Sequence, residues 1–164
     1  MTPGSRSILL RLLALSVMAT TLISCSSAVV GNGGRISKVN YYHLVPSKPI
    51  IVMDPAITFE RQHYLYGAVT KAEVMNRGGH YYTIDWKVDD RSLPVTVRFE
   101  YRQANNGLAT KVLEENINEV GRWNTTKFQV TGDEYNTNGR VTSWRVTLMR
   151  GKEELVSKAS YLWN

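Results

Sequence analysis

Residues His80–Gln103 read HYYTIDWKVDDRSLPVTVRFEYRQ, with a run of strict alternation at each end. In the first run Tyr82, Ile84, Trp86 and Val88 alternate with Tyr81, Thr83, Asp85 and Lys87. In the second, Val95, Val97, Phe99 and Tyr101 alternate with Thr96, Arg98, Glu100 and Arg102. Side chains of an extended strand point to opposite faces in turn, so each run is a strand with one buried and one wet face. The DDRSLP connection is short, and the two runs are expected to pair as an antiparallel hairpin. Its wet face would carry Asp85, Lys87, Arg98, Glu100 and Arg102, mixed charges that pair weakly across strands and discourage edge association.

Outward from this stretch the β signal continues. Val39–Val45 is rich in β-branched and aromatic residues, and Pro49–Met53 is a short apolar run closed by Asp54-Pro55. Residues 57–62 fit either a short helix, with Asp54 as its cap and Pro55 in its first turn, or an edge strand. Residues 64–75 are expected to form a strand bent at Gly67, ending in the Asn76-Arg77-Gly78-Gly79 turn. After Asn105-Asn106-Gly107, residues 108–120 fit a strand or a helical turn. Residues 126–131 read as a strand, and 133–139 as a loop ending in the turn dipeptide Asn138-Gly139. Residues 141–149 and 155–163 are the last two strands, with Ala159, Tyr161 and Trp163 sharing one side. No long helix is expected. Seven or eight strands separated by turns predict an all-β, antiparallel β-sandwich over residues 39–164. Trp86 and the rings of the final Tyr161-Leu162-Trp163 are its expected large core residues, each buried ring contributing about 2–3 kcal/mol. Across residues 57–164 this pattern resembles immunoglobulin-like and fibronectin type III-like modules. That resemblance is architectural and implies no functional residues.

The amino terminus is an address. Residues 1–24 have a short polar start with Arg6, an apolar run from Leu12 to Ile23, and no acidic residue; the first in the chain is Asp54. These are the features of an export signal. A membrane span needs about 20 mostly apolar residues, and this run is shorter. The single cysteine of the chain, Cys25, closes it. Leu22-Ile23-Ser24-Cys25 resembles the lipobox of bacterial lipoproteins. The resemblance implies cleavage before Cys25, which then carries a diacylglyceryl thioether and an amino-terminal acyl group. Two or three chains anchor a protein lastingly, because each buried CH₂ adds about 0.8 kcal/mol and one chain alone holds marginally. Ser26 after the cysteine resembles the outer-membrane sorting pattern of Gram-negative lipoproteins. Residues 25–38, small and glycine-rich, are expected to be a flexible tether. With one cysteine, no internal disulfide can form, so the fold must stand on its core.

Charge excludes one class of partner. The chain has 20 basic and 14 acidic residues, and Arg6 and Arg11 leave with the signal. The remaining positive balance is modest and dispersed, unlike a nucleic-acid footprint, which clusters on a patch. His43, His63 and His80 are too far apart in sequence for the usual metal spacings and read as three separate residues. No serine sits in a G-x-S-x-G elbow. The carboxylate pairs Asp89-Asp90, Glu114-Glu115, Asp133-Glu134 and Glu153-Glu154 are expected in or beside turns, where they are solvated. No catalytic residue, cofactor or metal is expected, and the chain is not expected to be an enzyme.

Three tyrosine doublets remain: Tyr41-Tyr42, Tyr64-x-Tyr66 and Tyr81-Tyr82. On a strand, one ring of a doublet joins the core while the other stays at the surface. The leading expectation is a non-catalytic, lipid-anchored envelope lipoprotein whose sandwich binds a protein partner or supports an assembly. The alternative is a carbohydrate-binding module in which Tyr81 and Trp123 stack on sugar. A small hydrolase assembled from dispersed residues is a third and weaker alternative.

Overall fold

The structure is a computed structural model and describes residues 28–46 and 55–163. The export signal, Cys25 and the apolar run 49–53 lie outside the described residues. Eight strands form two four-stranded antiparallel sheets. They are β1 (Val29–Val30), β2 (Gly34–Leu44), β3 (Gly79–Val88), β4 (Val95–Gln103), β5 (Thr110–Ile117), β6 (Asn124–Thr131), β7 (Val141–Arg150) and β8 (Glu153–Ala159). Sheet A has the order β1-β2-β3-β6, and sheet B the order β5-β4-β7-β8. Strand therefore begins within the segment expected to be a tether.

The apolar half of the central alternation is buried in full. Tyr82, Ile84, Trp86 and Val88 from β3 meet Val95, Val97, Phe99 and Tyr101 from β4 in one core, joined by Ile36, Phe128, Val130, Val146 and Leu148. Trp86 is buried and its Nε1 donates to the buried Thr126 Oγ1 at 3.1 Å, which satisfies the indole while the ring fills the core.

The two runs do not pair with each other. β3 pairs with β2 and β6, and β4 with β5 and β7. Residues 89–94 cross from one sheet to the other. The charged residues expected on one wet face are thereby split between two outer surfaces. Asp85 and Lys87 lie on sheet A. On sheet B, Glu100 is buried and its Oε2 accepts from Arg145 Nε at 2.6 Å. Glu114 also lies within β5 rather than at a turn, 3.6 Å from Arg98.

Helices replace two expected strand or loop segments. Helix α1 (Pro55–Leu65) takes the helical option for residues 57–62 and runs into the expected strand. Helix α2 (Lys71–Asn76) takes most of the rest. Thr70 and Glu73 form a capping box there: the Thr70 side chain accepts from the Glu73 amide, and the Glu73 carboxylate accepts from the Thr70 amide. Helix α3 (Gly132–Asn138) replaces the expected loop, with Asp133 and Glu134 in its first turn, where they complement the helix dipole. At the carboxyl end β8 stops at Ala159, and Tyr161–Trp163 forms a 3-10 turn. Its rings are not core: Tyr161 is 96% exposed, and Trp163 lies under the Arg102 guanidinium at 4.4 Å.

Candidate functional site

The outer face of sheet A carries the residues that alternate with the core. On neighbouring strands Tyr42 pairs in register with Tyr81, and Thr83 with Lys127. Tyr64 of α1 descends onto this face. Its ring stacks on Tyr42 at 5.2 Å and on Tyr81 at 4.0 Å between centroids. Each doublet thus contributes one ring to a single stack. Of their partners, Tyr82 enters the core, Tyr41 stacks on it at 6.3 Å, and Tyr66 is exposed.

Helix geometry explains how Tyr64 reaches the sheet. Glu60, Arg61 and Tyr64 lie on one side of α1 because they are three or four residues apart. Arg61 donates to the carbonyls of Val45 and Pro46 at 3.1 and 2.9 Å, tying α1 to the exit of β2. Arg77, at the carboxyl end of α2, donates to the carbonyls of Tyr64 and Tyr66. The Tyr81 hydroxyl donates to the Arg77 carbonyl at 2.6 Å. Burial raises the pKa of Tyr42, Tyr64 and Tyr81 above the ordinary phenol value, so these hydroxyls stay protonated at neutral pH.

A hollow lies on each side of Tyr64. The larger, about 620 Å³, is lined by His63, Tyr64, Asn76, Arg77, Tyr81, Thr83, Lys127, Gln129 and Thr131, with Tyr82 and Phe128 beneath. The other, about 520 Å³, is lined by Lys38, Asn40, Tyr41, Tyr42, Glu60, Tyr64, Tyr81 and Thr83. Phenol rings, amides, hydroxyls and ammonium groups make this a surface that can hold a polar ligand with flat apolar patches.

Tyr81 and Trp123 share this outer face but not one platform. Tyr81 stands opposite Gln129, whereas Trp123 adjoins Asn124, the partner of Trp86, roughly 17 Å further along the strand. Trp123 is 66% exposed, with Lys87 Nζ over its ring at 5.1 Å. Tyr81 is half-buried beneath Tyr64.

Two histidines expected to be separate come together on the inner side of sheet A. His43 and His80 face each other across β2 and β3, with parallel rings 4.0 Å apart. His43 Nε2 hydrogen-bonds the Tyr135 hydroxyl at 2.7 Å. His80 is 5% exposed, and neither ring nitrogen has a protein partner. Burial, then the nearby His43 and Arg140, pulls its pKa down to about 3. A cleft of about 470 Å³ opens beside this pair between the sheets, rimmed by Tyr41, Trp144, Tyr161 and Leu162. His63 stands apart on α1. None of these hollows among the described residues joins His63 or His80 to a carboxylate, and no group of three or more His, Cys, Asp or Glu is placed to hold a metal ion. No helix among the described residues is long and apolar enough to cross a membrane.

Two facing antiparallel sheets around one core define an immunoglobulin-like β-sandwich. Among solved structures, the chain is similar to an immunoglobulin-like protein (PA1606) from Pseudomonas aeruginosa, at 14% identity over 49% of this chain and 69% of that one, with a TM-score of 0.36. No protein-family model matches, and no curated protein matches.

Proposed function

We propose that this chain is a non-catalytic binding module of the bacterial cell envelope, anchored by lipid on Cys25, with the outer face of sheet A as its binding surface. The observation that carries the reading is the Tyr42–Tyr64–Tyr81 stack with a hollow on either side. A helix held over a sheet by Arg61 and Arg77 builds a concave, mixed aromatic and polar surface, the composition of a recognition site. Ser26 after the lipidated cysteine favours the outer membrane as its location. Among the described residues no paired acid and base supports the hydrolase alternative.

The test is site-specific photo-crosslinking in native envelopes. A photoreactive residue at Gln129, exposed on β6 beside the larger hollow, is compared with one at Glu115, exposed on β5 of sheet B. Adducts with an envelope component at Gln129 and not at Glu115 are expected. Equal adducts at both positions, or none at Gln129, contradict the reading.

A further inference from the structure

We infer that the larger hollow beneath α1 takes an acidic saccharide, a sugar chain bearing carboxylates, with the acid met by Lys127. The inference rests on the preceding reading of the outer face of sheet A and names the ligand class of that site. Three features carry it.

The first is charge. Among the described residues, the lining of the hollow contains Arg77 and Lys127 and no Asp or Glu. Arg77 is committed to the carbonyls that end α1. Lys127 is exposed and enters none of the ion pairs among the described residues. Asp85, further along β3, accepts from the Thr125 hydroxyl. Across Tyr64 the smaller hollow contains both Lys38 and Glu60, so the positive bias belongs to one side of the stack.

The second is side-chain type. Among the described residues the lining has no Leu, Ile, Val or Met. Pockets that anchor a protein partner bury large apolar or Arg anchors in a dry centre. Here the polar groups are the amides of Asn76 and Gln129 and the hydroxyls of Thr83 and Thr131, beside phenol rings. Sugars present that complement: many hydroxyls, and a patch of C–H on the ring face. The protonated phenols add no negative charge to oppose an acid.

The third is size. A volume of about 620 Å³ lies within the roughly 300–1,000 Å³ of small-ligand pockets. An extended peptide would instead seek an unpaired strand edge.

The test uses the full chain with its anchor in lipid nanodiscs, with empty nanodiscs as control. Tetragalacturonate and tetramannuronate are titrated calorimetrically, alongside their methyl esters and a short polyglutamate. At least one free acid is expected to bind saturably, more weakly at high salt and more tightly than its ester. Lys127→Gln, an exposed change outside the core, is expected to weaken the acid about fivefold and to leave the ester unchanged. Tyr64→Ala is expected to weaken both. Equal binding of acid and ester, or no effect of Lys127→Gln, overturns the acid while a saccharide site stands. Equal binding of polyglutamate shows charge attraction alone and overturns the inference. If no saccharide binds while crosslinking at Gln129 still captures an envelope component, the inference fails and the binding-module reading survives; if that crosslinking also fails, both fall.

Discussion

A neutral imidazole carries one N–H donor and one acceptor, and His80 buries both without a protein partner. An unmet buried donor costs about 1–3 kcal/mol. The folded protein also resists protonating this ring, since its pKa falls to about 3 from an ordinary 6.5. Between these values the unfolded chain binds a proton that the folded chain does not, so stability is full above pH 6.5 and declines as pH drops toward 3. At pH 4.5 the loss from this group is roughly 3 kcal/mol. Denaturant melts of His80→Phe should show higher stability at neutral pH and a shallower acid limb; an unchanged limb would exclude His80 as its source. On the opposite sheet, Arg145→Ala should cost about 2 kcal/mol in the same assay, because it leaves the buried Glu100 carboxylate with only the more distant Arg98, 3.9 Å away. The figure is below that for a wholly buried pair because Arg145 is partly exposed. Trp86 and Tyr82 were legible as core because alternation reports burial directly. The histidine pair was not: it depends on the register between β2 and β3, which joins residues 37 positions apart. The tyrosine stack was half legible, since the doublets marked the residues but nothing local put Tyr64 above Tyr42 and Tyr81.

At the scale of elements, alternation specifies which face of a strand is buried and leaves its partner open. β3 and β4 turn their apolar faces to the same core from opposite sheets, and that arrangement satisfies the pattern as well as a hairpin does. Helix α2 was hidden for a different reason. Thr70-Lys71-Ala72-Glu73 carries the S/T-x-x-E capping signature, but the Tyr and Val residues around it favour strand by propensity. Helix α1 has no buried residue and is held at a few points, so it should open independently of the sandwich. Arg61→Ala removes two hydrogen bonds to the β2 exit and should speed amide exchange in α1 about tenfold with little change in the β3 amides. Equal acceleration in both would show α1 to be part of the cooperative core. By contrast Gly79, where β3 begins, has φ +144°, and a Cβ there would fall 2.2 Å from the Val130 carbonyl oxygen. Gly79→Ala should therefore cost about 3 kcal/mol by forcing β3 from β6, measured by chemical unfolding.

For the whole molecule, the sandwich closes along one seam. At Gly31 a Cβ would fall 2.2 Å from the Leu155 carbonyl oxygen, and one at Gly34 3.1 Å from the Val156 side chain, so β8 packs directly against the first strands. Among the described residues the first strand starts at Val29, four residues after Cys25 in sequence. On the proposed reading the module would sit close to the lipid surface, and its ligand would be a component found there. Cys25→Ala should move the exported protein from the membrane to the soluble fraction without altering its unfolding midpoint; membrane retention of that variant would require another anchor. The central claim, a disulfide-free sandwich tethered by lipid on its single cysteine, is tested most directly by intact mass spectrometry of the protein extracted from native membranes. The account predicts a chain beginning at Cys25 with the added mass of a diacylglyceryl group and a further acyl chain. A free thiol at Cys25, or a mature terminus at any other residue, would contradict it.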